Sequence, residues 1–283
     1  MGNVMTNVAI PTLTKNILTS QPIVIPVFHE VAIKLLQMMN GNFYTIEEVI
    51  ILVHEDPALA SEMLKHANSS YYSGKTPITT IKDAIVRLGS QQIVNLAFSA
   101  SMSNAKSNNP VINTHMKNLW YHCRTVAKTS AYLALKVSHD NKIPELNHDE
   151  VYLGGLLHDV GKLYLLKVLD SLIMSDIIHP DNSLIKNILV ELNIQQGIKV
   201  IKHYNIPEIY SNLLDRLFSN NWLCGSNDYF VATVRLADKI YYCEKHDIDI
   251  TDSIDTCDIS DEMMFLDIND VSYLHNLVNA IID

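Results

Sequence analysis

The sequence is poor in several things at once, and each shortage excludes something. Nine glycines in 283 residues are too few for a turn-rich β architecture, and no apolar/polar alternation lasts beyond four or five positions. The longest apolar runs, such as Ile23 to Phe28 and Val49 to Val53, fall well short of the roughly 20 residues needed to cross a bilayer, so no membrane span is expected. Lys and Arg number 21 against 31 Asp and Glu, a net charge of −10, and no basic run of five occurs. Nucleic-acid affinity comes largely from clustered cations that release counterions, so nucleic acid is not an expected partner. A local basic groove for a nucleotide or phosphate ester stays open. Four cysteines stand far apart, without a CxxC pair and with no secretory segment before them, which predicts reduced thiols and a cytoplasmic location. There is no Gly-rich phosphate loop and no Gly-x-Ser-x-Gly.

What the chain does contain is helix punctuation. Residues 1 to about 25, with Pro11 and Pro22, read as an irregular lead-in, and a periodic stretch follows Pro26 to about Met39. Thr45 and Glu48 form a capping box for a short helix to about Glu55. Asp56-Pro57 supplies an N-cap and a first-turn proline for the next, which runs to about Ala67. Asn68 to Pro77 reads as a loop. Thr80 and Asp83 open a helix that ends at Gly89, and another runs from Ser90 to about Ser103. Ser107 to Pro110 is the expected boundary between an N-terminal helical subdomain, 1–108, and a second one, 109–283. In the second, helices are predicted from about His115 to Ser138 and from Asn147 to Asp159, the latter capped by Asn147 and Glu150 and terminated by Gly161. Others cover about 162–177, 184–204, 207–219, 227–245 and 270–282, while the acidic stretch Asp247 to Asp267 reads as loosely ordered in part. The fold class is all-α.

Three of these helices carry a polar residue on an apolar face. His158 shares a face with Val151 and Gly155; His122 lies on the stripe Leu119, Val126, Leu133, Val137; Asp238 lies on Val231, Val234, Tyr241. Buried ionisable groups need partners. Each alone has an ordinary explanation, a histidine satisfied by a backbone carbonyl or an aspartate paired with a lysine such as Lys239. Together with Asp159 they form two imidazoles and two carboxylates, a donor set suited to Fe, Mn, Zn or Ni.

The segment His158-Asp159-Val160-Gly161-Lys162, with His122 upstream in Leu-Trp-Tyr-His-Cys and Asp238 downstream in Arg-Leu-Ala-Asp-Lys, resembles the H…HD…D pattern of HD-superfamily metal-dependent phosphohydrolases. The first half is similar to the opening of the narrower HDOD family. The likeness rests on Asp56-Pro57-Ala58-Leu59, Leu64-Lys65-His66-Ala67-Asn68-Ser69, Tyr71-Tyr72, and Pro77-Ile78 through Ala84-Ile85-Val86-Arg87-Leu88-Gly89, and it covers about residues 20 to 245. The resemblance implies a multi-helical HD-like bundle in which His122, His158, Asp159 and Asp238 ligate one divalent transition metal. Lys162 would face an anionic group beside it, so that Asp159 and Lys162 are the catalytic candidates of an active member. Fuller family sites carry a further histidine where Asn193 stands, and a His-His pair where Leu217-Phe218 stands, so ligands for a second ion are missing.

Three functions remain open on these grounds. The first is a signalling or regulatory module with a mononuclear metal site and a protein partner in its pathway. The second is a metal-dependent phosphohydrolase acting on a nucleotide or phosphate ester, and the third is a metal-free interaction scaffold. Tyr71-Tyr72 and Trp120 are candidates for a partner surface, with ordinary packing between subdomains the alternative.

Overall fold

The computed structural model describes residues 10–20, 22–23, 25–41, 44–72, 76–141, 146–219, 222–223, 228–246, 259–268 and 274. Among them there is no strand, and the helices are α1 (Thr12–Ser20), α2 (Glu30–Asn40), α3 (Ile46–His54), α4 (Pro57–Ala67), α5 (Ile81–Leu88), α6 (Ser90–Ser103), α7 (Pro110–Asn141), α8 (His148–Leu157), α9 (Val160–Met174), α10 (Asn182–His203), α11 (Glu208–Leu217), α12 (Asp228–Lys245) and α13 (Ser260–Phe265). None of the described helices is long and apolar enough to cross a membrane.

Local chemistry sets most helix starts. Thr45 Oγ1 accepts from the Glu48 N–H while the Glu48 carboxylate accepts from the Thr45 N–H, a complete capping box. Asp56 accepts from Ala58 and Leu59, Thr80 from Asp83, and Asn147 from Asp149 and Glu150. Gly89, at φ +79°, makes the corner between α5 and α6.

The structure departs from the sequence expectations in four places. The lead-in is not wholly irregular: α1 lies there, held from outside by buried Leu18, by the ion pair of Lys15 with Glu191, and by Lys199 Nζ donating to the Thr19 carbonyl. α7 starts five residues early, because Asn109 accepts from the Val111 and Ile112 N–H groups and Pro110 takes the first helical position, so Asn109-Pro110 begins a helix. Gly161 does not end α8; the chain breaks at His158-Asp159, and Gly161 lies in the first turn of α9. Part of the acidic stretch forms α13, anchored by the buried Glu262 on Arg235 and Lys239. Buried Cys123 is free, and Cys224 and Cys257 lie outside the described residues. The helix expected over 270–282 falls, except for Leu274, outside the described residues.

Helices α2 to α6 pack on one another, and α6 joins them to α8, where Asn95 donates to the Asp149 carbonyl and the Ser99 and Tyr152 hydroxyls meet at 3.1 Å. α8 runs along α7, α9 along α10, and α12 lies across α7 and α8. Two glycines allow these approaches. A Cβ on Gly155 would stand 2.6 Å from Ala127 Cα, and one on Gly161 would stand 1.9 Å from the Asn193 carbonyl oxygen. Val151, Leu153, Leu156, Leu157, Leu165 and Leu166 fill the space between these helices without exposure, each contributing about 1.5–3 kcal/mol of transfer energy. The same close packing brings α7, α8, α9 and α12 together at one point.

Candidate metal centre

That point is the break between α8 and α9. His158 closes α8 and Asp159 precedes the first residue of α9, so neither needs to fit within a helix interior. Both are buried, at 0% and 1% exposure. His158 Nδ1 lies 2.6 Å from the Gly155 carbonyl oxygen, which can only accept. Nδ1 therefore carries the proton and Nε2 presents its lone pair, the arrangement usual for a ligating imidazole. Burial lowers the His158 pKa, which favours this neutral form.

His122 comes from α7 and Asp238 from α12, and both reach the same space. His122 Nε2 lies 2.9 Å from His158 Nε2, 3.2 Å from Asp159 Oδ2 and 3.3 Å from Asp238 Oδ1. His158 Nε2 lies 3.5 Å from Asp159 Oδ2 and 3.7 Å from Asp238 Oδ1. Ligands about 2.1 Å from one ion stand about 3.4 Å apart in a tetrahedron and about 3.0 Å apart at the cis positions of an octahedron. The observed spacings bracket those values; His122, His158 and Asp238 lie close enough to one another to share a cation, and Asp159 Oδ2 stands within 3.2 and 3.5 Å of the two imidazoles. Neither ordinary explanation accounts for the outer pair. His122 Nδ1 is buried with no hydrogen-bond partner, and Lys239 pairs with Glu262 instead of Asp238.

Burial alone would raise the Asp159 pKa. The Lys162 ammonium, 2.6 Å from Oδ2, together with His158 and His122, outweighs it and holds the carboxyl well below its usual range. Burial likewise works against the Lys162 charge, and Asp159 more than restores it. Asn193 on α10 completes the surroundings, donating from Nδ2 to Asp159 Oδ1 at 2.7 Å and accepting at Oδ1 from the Lys162 N–H at 3.0 Å. Lys162 thus stands beside the four candidate ligands, bound to one of them.

Two features lie beyond the four candidate ligands. The Cys123 thiol sits close enough to His158 and Asp159 to be grouped with them; burial, with Asp159 adding to it, pushes its pKa well up and keeps it a neutral thiol. A groove of about 1060 Å³ opens over His122, Asp159, Lys162 and Asp238 and is lined further by Lys186, Lys239, Lys245, Tyr241, Tyr242 and Phe218. Tyr241 packs on His122 at 4.5 Å between ring centroids, and Lys245 Nζ sits 5.8 Å from the Tyr241 ring centre. Its basic residues come from three helices and so form no run in the sequence. The spacing Asp238-Lys239, Tyr241-Tyr242, Lys245 on α12 was the available signal.

The sequence profile of the HDOD domain matches residues 25–214, more than half of the chain. The chain belongs to the HDOD family. No curated protein matches it. Solved structures share the HDOD fold. A provisionally named metal-dependent phosphohydrolase from Shewanella amazonensis SB2B is 20% identical over 96% of each chain, with a TM-score of 0.67. An HDOD domain protein from Geobacter sulfurreducens is 21% identical over 94% of this chain and 87% of its own, with a TM-score of 0.60. A provisionally named signal transduction protein from Marinobacter aquaeolei VT8 is 18% identical over 92% of this chain and 57% of its own, with a TM-score of 0.59.

Proposed function

We infer that this HDOD chain is a signalling or regulatory module built around one divalent transition metal, with His122, His158, Asp159 and Asp238 as the ligands. The observation that carries this reading is that two Nε2 atoms stand 2.9 Å apart and each lies 3.2 to 3.7 Å from one oxygen of each carboxylate, the four side chains coming from α7, α12 and the α8–α9 break. A bound ion would fix those segments relative to one another. Its presence would therefore be sensed by the surrounding helices, which is what a protein partner in a signalling pathway requires. A similar fold carries a signal-transduction name in the Marinobacter protein. Lys162, engaged by Asp159, is not poised for a phosphate in this state.

The groove favours a second reading, a metal-dependent phosphohydrolase. Lys162, Lys186, Lys239 and Lys245 line it together with two tyrosines, a composition suited to a phosphate ester or nucleotide. In that case Asp159 would hold the ion that supplies Lewis acidity, and Lys162 would leave Asp159 to meet the phosphate. Metal analysis of protein purified without added metal, followed by turnover assays on phosphomonoesters and cyclic dinucleotides with Mn²⁺ or Ni²⁺, separates the readings. The regulatory reading expects one retained ion and no turnover. Metal-dependent hydrolysis abolished by Asp159→Ala would replace it with the second reading, and no retained metal would leave a scaffold.

A further inference from the structure

The two oxygens of Asp159 are treated differently. Oδ2 faces the imidazoles, 3.2 Å from His122 Nε2 and 3.5 Å from His158 Nε2, and also meets Lys162 Nζ at 2.6 Å. Oδ1 accepts from Asn193 Nδ2 at 2.7 Å. The orientation of that carboxamide is not arbitrary. The Asp159 carboxylate can only accept, and the Lys162 N–H in the first turn of α9, shared between the Asp159 carbonyl and Asn193 Oδ1, can only donate. With Oδ1 of Asn193 committed there, its NH₂ end must face Asp159, and an amide NH₂ has donors only. The clamp is also rigid. Asn193 is 2% exposed, and its backbone lies against Gly161 so closely that no side chain fits between them.

In a two-ion centre the ions stand about 3.5–4 Å apart, and a carboxylate that bridges them gives one oxygen to each. Here the second oxygen meets N–H hydrogens, which repel a cation, while the Lys162 ammonium lies on the inner oxygen, Oδ2. We propose that Asn193 is a positioning residue that limits this centre to a single ion by occupying the outer oxygen of Asp159. The proposal rests on the metal-site reading above. It goes beyond the loss of a histidine ligand, because the residue present orients the Asp159 carboxylate and turns donors onto its outer oxygen.

Asn193→Asp tests it with almost no change of shape. One carboxylate oxygen can still accept from the Lys162 N–H, while the other turns from donor to acceptor toward Asp159. Mn²⁺ titration of the full chain, read by metal analysis after gel filtration and by electron paramagnetic resonance, should give one equivalent with an isolated-ion spectrum for the wild type. Asn193→Asp should give two equivalents with an exchange-coupled spectrum. Asn193→Ala should keep one equivalent but bind it about 10- to 100-fold more weakly, the usual loss when a group orienting a ligand is removed. Two equivalents in the wild type would overturn the proposal and leave the metal site intact. So would a single equivalent in Asn193→Asp. If Asn193→Asp does not fold, wild-type affinity in Asn193→Ala overturns it. No binding by the wild type would overturn the metal-site reading itself.

Discussion

Gly161→Ala places one methyl group where α9 and α10 touch, and the structure sets its cost. The added Cβ would lie 1.9 Å from the Asn193 carbonyl oxygen, 2.6 Å from the Gly197 nitrogen and 2.8 Å from the Asn193 carbonyl carbon. All three are backbone atoms of α10, so no flexible side chain can move aside. Restoring ordinary contact of about 3.4 Å requires α10 to retreat by about 1.5 Å over the segment that carries Asn193. Overpacking costs about 1–3 kcal/mol, and a clash between two backbones belongs at about 3 kcal/mol. With a urea slope near 3 kcal/mol per molar, the unfolding midpoint should fall by about 1 M. Because the retreat also pulls Asn193 from Asp159, Mn²⁺ affinity should fall with it. Gly89→Ala is the control: its φ is +79° and ψ 161°, with nothing within 4 Å of a new Cβ, so backbone strain of about 1–3 kcal/mol should appear without any change in ion affinity. A wild-type urea midpoint in Gly161→Ala would refute the packing argument.

Asn147→Ala removes the cap of α8 and should cost about 1 kcal/mol in chemical denaturation, with metal stoichiometry unchanged. Glu262→Ala leaves Arg235 and Lys239 facing the place of a fully buried carboxylate and should destabilise by about 3–5 kcal/mol, with Glu262→Gln costing less; equal midpoints for wild type and Glu262→Ala would show that α13 contributes nothing. In chelator-treated protein the melting temperature should fall with acid in two stages. Burial depresses the His158 pKa, so the unfolded chain binds more protons and stability declines as pH drops below about 6.5; the depressed Asp159 pKa, sustained against burial by Lys162, adds a second decline below about 3.9 as pH falls toward its folded value. A melting curve flat from pH 7 to 5, or an acid limb unchanged in Asp159→Asn, would contradict these assignments.

Much of the fold was legible because its signals are local. Thr45, Asp56, Thr80 and Asn147 each bond to an N–H two or three residues ahead, so their helix starts can be read without knowing the neighbours. α1 and α13 were missed because their reasons lie far away, in Glu191 and Lys199 for one and in Arg235 and Lys239 for the other. Asn109-Pro110 reads in sequence as a break, and only the bonds to Val111 and Ile112 show that it also caps a helix and supplies its first-turn proline. Gly161 was mistaken for a terminator because a glycine that ends a helix and one that admits a neighbouring backbone look alike in sequence. The four clustered side chains were legible because each interrupts or ends an apolar face. The groove was not, since its lysines come from α9, α10 and α12.

Anomalous diffraction from crystals of the full chain soaked in Mn²⁺ tests the central claim most directly. The account predicts a single peak about 2.0–2.3 Å from His122 Nε2, His158 Nε2, Asp159 Oδ2 and Asp238 Oδ1, with Asn193 still bonded to the other oxygen of Asp159. A map without a peak among those four atoms, or with its peak elsewhere on the protein, would contradict it.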